Sequence, residues 1–173
     1  MSHVIVVGAG QAGSSCVAKL RNGGFDGQIT LIGEEPVPPY QRPPLSKAYL
    51  MGDMTQERLL LRPASLYDVN DIQFRMQTRV VAIDSATQTI PVGAESSHYD
   101  ALAFTPGSIP NRLRDRVCGA LDGVFVVRDL ADVDAMAPRF VDGEKVLVVG
   151  GGYIGLEAAS VATKLGLQVT LVE

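Results

Sequence analysis

A glycine-rich hexad with the spacing GxGxxG occurs twice in this chain, each time directly after a short apolar run. The first is Val4-Ile5-Val6-Val7 followed by Gly8-Ala9-Gly10-Gln11-Ala12-Gly13; the second is Val146-Leu147-Val148-Val149 followed by Gly150-Gly151-Gly152-Tyr153-Ile154-Gly155. Short runs of this kind read as buried strands, and glycines at that spacing suit a strand-to-helix turn that a phosphate must approach closely. The first glycine permits the tight turn, the second leaves bare backbone for a pyrophosphate, and the third lets the helix lie close to the strand. Helix N–H groups and the positive end of the helix dipole then face the anion. Each copy is followed at βαβ distance by a second apolar run ending in an acid: Ile29-Thr30-Leu31-Ile32 leads to Gly33-Glu34-Glu35, and Val169-Thr170-Leu171-Val172 leads to Glu173. A carboxylate at that place accepts hydrogen bonds from a ribose. One copy alone is a weak signal, because glycine-rich turns are common; two complete copies imply two dinucleotide sites.

Between the two units the sequence changes character. Five prolines in the nine residues Pro36 to Pro44 exclude a helix or inner strand, so a stiff, extended connection is expected. Leu45 to Leu50 reads as the first turns of a helix with Lys47 near its beginning, where a cation opposes the dipole and calls for a negative partner or a ligand. Residues 51 to 71 read as irregular, with one short helix near Pro63 to Asp68. Phe74 to Asp84, Thr89 to Val92 and Tyr99 to Thr105 read as short antiparallel strands of a small appended sheet. Val124 to Val127 reads as another strand, and Asp129 as the cap of a helix reaching about Phe140.

Composition narrows the function. A net charge of −4 with no basic tract opposes nucleic-acid binding, and the densest cationic stretch, Arg112, Arg114 and Arg116, is interrupted by Asp115. The two cysteines, Cys16 and Cys118, and the two histidines, His3 and His98, are isolated in sequence, which suggests neither a metal site nor a disulfide framework. No apolar run approaches membrane-spanning length, and no leader-like segment opens the chain, so a cytoplasmic protein is the expectation.

Taken with Tyr40-Gln41-Arg42-Pro43-Pro44-Leu45-Ser46-Lys47, and with Leu156-Glu157 after the second hexad, the chain resembles the two-dinucleotide-domain flavoproteins. Within them it is most similar to the ferredoxin reductases of bacterial oxygenase systems, the putidaredoxin-reductase-like group. The RPPLSK stretch is much rarer than any GxGxxG, and the likeness covers essentially the whole chain. The resemblance implies an α/β fold with two Rossmann-like units, FAD first and NADH second, plus a small antiparallel sheet. It implies an FAD-binding segment over 1–112 and the N-terminal part of an NADH-binding domain over 113–173, the second unit being truncated against the family's full length.

By the same resemblance Gly8, Gly10 and Gly13 serve the FAD pyrophosphate, Glu34 its ribose, and the backbone around Val80 its adenine. Arg42 and Lys47 approach the flavin, Gly107 lies at the crossing between domains, and Gly150, Gly152, Gly155 and Glu173 serve NADH. Glu157 pairs with Lys47 beside the flavin. A hydride would pass from NADH to FAD, and single electrons would pass to a small [2Fe–2S] ferredoxin. Rubredoxin reductases, NADH oxidases and an incomplete nucleotide-binding module are the alternatives. Apoptosis-inducing-factor-like proteins share RPPLSK, but without a targeting segment a bacterial enzyme is the simpler expectation. The chain lacks the CxxxxC pair of the disulfide reductases. It also departs from the ferredoxin-reductase pattern at Pro106, where a threonine usually precedes the glycine, and at Asn111, where an arginine commonly follows the proline.

Overall fold

The computed structural model describes residues 2–92, 95–118 and 121–173. It divides into two compact units: Met1–Tyr40 with Leu60–Ser108, and Gln41–Leu59 with Ile109–Glu173.

The first unit begins with β1 (His3–Val7), α1 (Gln11–Asn22) and β2 (Gln28–Ile32), the crossover expected from the first hexad. β1 and β2 pair in parallel with Val4 opposite Ile29 and Val7 opposite Ile32. Buried Ile5, Val6, Ile29, Leu31 and Ile32 account for their apolar runs, since a parallel strand is covered on both faces. One face packs Val6, Ile29 and Leu31 with Val17 of α1 and Tyr67; the other packs Ile5, Val7 and Ile32 with Ile90 and Tyr99. α1 stops at Gly23, whose N–H bonds the Lys19 carbonyl, and the chain turns through Gly24 at φ +85°.

Two strands assigned from the sequence to an appended antiparallel sheet belong to the main one. β3 (Ile72–Arg75) pairs in parallel with β2, and β6 (Ala101–Phe104) pairs in parallel with β1, giving the order β3-β2-β1-β6. Among the described residues, β4 (Thr89–Val92) and β5 (Glu95–His98) form the separate antiparallel pair. The expected strand over Phe74 to Asp84 is therefore shorter and earlier. From residue 76 to 83 the backbone is irregular, and Asp84 makes an isolated bridge to Thr89. Local alternation does not reveal which neighbour a strand finds.

His3 has a structural task in this unit. Its Nδ1 lies 2.8 Å from the His98 carbonyl, and its Nε2 lies 2.8 Å from Thr30 Oγ1.

The proline-rich stretch bends over residues 34–37 and then reaches Tyr40, which bridges Leu60; both Pro39 and Tyr40 are buried. Pro43–Ser46 then forms a 3₁₀ turn, a correction to the fully extended expectation: prolines with φ fixed near −65° suit the opening positions of a helical turn. Residues 51–71 contain two short helices, α2 (Gln56–Leu59) and α3 (Ser65–Val69), where one was expected.

The second unit contains the Pro43–Ser46 turn, α2, α4 (Asp115–Cys118), α5 (Leu130–Met136), β7 (Lys145–Val149), α6 (Tyr153–Lys164) and β8 (Gln168–Val172). Residues 124–127 are not a strand. β7 and β8 pair in parallel from Lys145 opposite Gln168 to Val149 opposite Val172. α5 is opened by a capping box in which Asp132 N–H donates to Asp129 Oδ1 at 2.9 Å and Asp129 N–H donates to Asp132 Oδ2 at 3.2 Å. A 3₁₀ turn over Ala137–Arg139, entered at Pro138, ends that helix short of Phe140. Asp129→Ala removes one of the two reciprocal bonds and is expected to lower stability by about 1 kcal/mol, read from the urea midpoint.

Candidate functional site

Each glycine hexad forms the same local structure. Gly8 and Gly150 both stand at φ +108°, in the region that favours glycine. A Cβ on Gly13 would overlap the Gly8 carbonyl oxygen, and one on Gly155 would overlap the Gly150 carbonyl oxygen. The third glycine is therefore closed by the fold itself in both units; the first is required by its backbone angle in both, with space also closed at Gly8 but open at Gly150. A Cβ on Gly10 or on Gly152 would meet nothing within 4 Å, so the middle glycine faces open space in both units. Gly10 and Gly152 are the extended N-cap residues of α1 and α6, and neither helix carries an acidic residue in its first turn. Backbone donors at each N-terminus are thus presented without a carboxylate from the helix's own first turn, the arrangement an anion needs. The residues fit a dinucleotide pyrophosphate at both places.

The acids beyond the second strands differ. Glu34 is exposed, with its Oε1 accepting from Arg79 Nη1 at 3.2 Å. Glu173 reaches back over its own loop, where its carboxylate occupies the space a Cβ on Gly151 would take. Val80 packs against the cluster of Ile5, Val7 and Ile32. Among the described residues its backbone N–H and carbonyl make no protein hydrogen bond. Gly107 turns at φ +73° in an exposed loop.

Thr105 is a residue the sequence reading missed. Its Oγ1 donates to the Val7 and Gly8 carbonyls at 3.0 and 2.9 Å, and a Cβ on Gly8 would overlap the Thr105 carbonyl oxygen. A hydroxyl next to Pro106 was the available signal. Buried Ser14, one residue after Gly13, is likewise held by Arg62 Nη1 at 2.8 Å and lies 3.1 Å from the Tyr67 hydroxyl.

In the second unit, Lys47 Nζ donates to Glu157 Oε1 at 2.8 Å. Glu157 is the negative partner expected for Lys47, but Lys47 is the C-terminal cap of the Pro43–Ser46 turn and not, as expected, near the start of a helix. Buried Ser46 donates from Oγ to the other carboxylate oxygen, Oε2, at 2.6 Å. Lys47 first, then Ser46, hold the Glu157 carboxyl below the usual glutamate value. The pair contributes at and above ordinary carboxylate pH and is lost as pH falls through that lowered value. Arg42 Nη1 donates to the Arg128 carbonyl at 2.6 Å, and Tyr49 OH donates to Asp134 Oδ1 at 2.7 Å. The segment carrying Lys47 is thereby tied to the chain on both sides of the start of α5.

Burial first, then the Asp134 carboxylate, pushes the Tyr49 phenol up to about 12. An unfolded phenol ionises near about 10. The stability this proton contributes is present below that pH and is lost as pH rises from about 10 toward 12. Tyr49→Phe is expected to flatten the alkaline fall in the urea midpoint over that window and to cost about 1 kcal/mol at neutral pH.

No helix among the described residues is long and apolar enough to cross a membrane, and no group of three or more His, Cys, Asp or Glu among them could hold a metal ion.

The profile of the pyridine nucleotide-disulphide oxidoreductase family matches residues 2–173. Rhodocoxin reductase from Rhodococcus erythropolis is 41% identical over 98% of this chain and 40% of its own length. Rubredoxin-NAD(+) reductase from Pseudomonas putida is 37% identical over 98% of this chain and 44% of its own. Among solved structures, the covalent putidaredoxin reductase–putidaredoxin complex aligns with a TM-score of 0.93 at 36% identity, covering 98% of this chain and 42% of that one. The chain thus spans about two fifths of the length of the relatives it matches. Ferredoxin reductases of this family depend on FAD and NAD(H). With two open-centred glycine loops on parallel βαβ units and a match along nearly its whole length, the chain belongs to the pyridine nucleotide-disulphide oxidoreductase family.

Proposed function

We propose that this chain is the nucleotide-binding portion of an FAD-dependent NADH reductase whose electrons go to a small [2Fe–2S] ferredoxin of an oxygenase system. The observation that carries this reading is the repeated loop, turned at its first glycine by a positive φ, closed at its third and open at its second, which suits one dinucleotide per unit. FAD supplies the capacity to accept a hydride and release electrons singly, which NADH alone lacks.

The chain's own residues bind and orient. Backbone around Gly8, Gly10 and Gly13 holds the FAD pyrophosphate, Glu34 accepts from the ribose, and the backbone at Val80 contacts adenine. Arg42 and Lys47 serve the flavin, with Glu157 as partner of Lys47, and Gly107 lets the backbone turn at the crossing. Gly150, Gly152, Gly155 and Glu173 serve NADH. The FAD-binding segment runs over 1–112 and the NADH-binding part over 113–173. Cytoplasm, where NADH is supplied, is the setting proposed.

A carboxylate at Glu173 accepts from a free 2′-hydroxyl and repels a 2′-phosphate. NADH is therefore expected to bleach the flavin absorbance of the FAD-loaded protein at least about tenfold faster than NADPH under anaerobic mixing, a difference of about 1.4 kcal/mol. Absorbance that persists with NADH, or a preference for NADPH, overturns the reading. The 37% identity to a rubredoxin reductase supports rubredoxin as the second acceptor to be assayed.

A further inference from the structure

Glu157 is gripped by two adjacent residues of unlike character. Lys47 approaches Oε1 with a side chain 46% exposed, on a flexible stem that water and salt reach. Ser46 approaches Oε2 from a residue only 4% exposed, where its hydroxyl has little access to water as an alternative partner. The 2.6 Å separation lies in the range of charge-assisted O–H···O⁻ bonds. The backbone that aims this hydroxyl is itself stiff. Pro43 and Pro44 occupy the opening positions of the 3₁₀ turn, Leu45 is buried, and the Lys47 N–H closes the turn on the Pro44 carbonyl at 3.0 Å.

A carboxylate held at one oxygen alone turns about its terminal torsion, which is broad for glutamate. A carboxylate held at both oxygens does not. We propose that Ser46 is a positioning residue for Glu157: the hydroxyl fixes the carboxylate plane and holds its orientation, while Lys47 supplies the exchangeable charge. The inference deepens the reading that Glu157 serves the flavin, and its test is independent of that reading because it needs no cofactor.

The test is the pH titration of the Glu157 side-chain carboxyl by ¹³C NMR on the full chain. It is run at low salt and at about 1 M salt, where screening acts over about 3 Å. Wild type is expected to titrate below the ordinary glutamate value at both salt levels. In Ser46→Ala the midpoint rises at low salt and returns to the ordinary value at high salt, because the remaining Lys47 contact is screened. Ser46→Thr, which keeps the hydroxyl, restores a midpoint below the ordinary value at both salt levels. In Lys47→Ala part of the depression persists and resists salt. Should Ser46→Ala not fold, Lys47→Ala decides: a midpoint there at the ordinary value overturns the proposal. So does a Ser46→Ala midpoint that matches wild type at both salt levels. Unchanged flavin reduction in Glu157→Ala would instead sink the functional reading and leave these titrations as they are.

Discussion

Gly13→Ala is expected to cost more than about 3 kcal/mol of stability, a large part of the 5–15 kcal/mol typical of a domain, whereas Gly10→Ala costs less than about 1. The physical difference lies in what a methyl group would meet. At Gly13 it would overlap the Gly8 carbonyl oxygen and come within 3.1 Å of Thr105 Oγ1. That carbonyl is not free to retreat, since Gly8 is held through its N–H to the Ile32 carbonyl at 2.9 Å and through its own oxygen to Thr105. Relief requires moving α1 away from β1, and with it Val17 out of a core it shares with Val6 and Leu31. At Gly10 the same methyl meets nothing within 4 Å, and φ is −90°, which any residue adopts. Urea unfolding followed by circular dichroism reads both variants. Equal midpoints for the two would show that the loop is not closed by its third glycine.

The second large effect concerns rate rather than stability. Lys47→Ala and Glu157→Ala are each expected to slow flavin reduction by NADH at least about tenfold, and the double variant to be scarcely slower than either, because two groups acting as one pair are not additive. Loss of fold does not account for such an effect. The side chains are 46% and 32% exposed, and an ion pair at that exposure contributes about 0–1 kcal/mol to stability. A Lys47→Ala melting curve that superposes with wild type, beside slowed reduction, is the expected combination; Glu157→Ala also strips buried Ser46 of its partner and is expected to cost about 1 kcal/mol or more. Wild-type rates in both single variants remove the pair from the mechanism.

What the sequence made legible follows the range of the forces involved. Val4 to Val7 with their glycine loop, and Val146 to Val149 with theirs, are local patterns, and the βαβ units stand where they were read. Asp129 is legible as a cap for the same reason. Strand partnership is not local: alternating Ile72–Arg75 and apolar Ala101–Phe104 are short stretches whose parallel pairing with β2 and β1 is decided by the sheet. Glu95–His98, polar and serine-rich, carried no apolar alternation to mark it as a strand, yet it pairs with Thr89–Val92. At the candidate site, the glycines and Lys47 announce themselves by motif. Ser46 and Thr105 do not, because a serine or threonine hydroxyl gains its role from the carboxylate or carbonyl it meets in space. The helical reading of Leu45 to Leu50 failed because the prolines before it set a 3₁₀ turn that ends at Lys47.

The account depends on each open glycine admitting one nucleotide, and paired titrations of Gly10→Ala and Gly152→Ala with FAD and with NADH test that most directly. Gly10→Ala is expected to weaken FAD at least about tenfold, or about 1.4 kcal/mol, while leaving NADH at wild-type affinity; Gly152→Ala is expected to do the reverse. Wild-type affinity for both nucleotides in both variants, or loss of both from a single substitution in a chain that still folds, would contradict it.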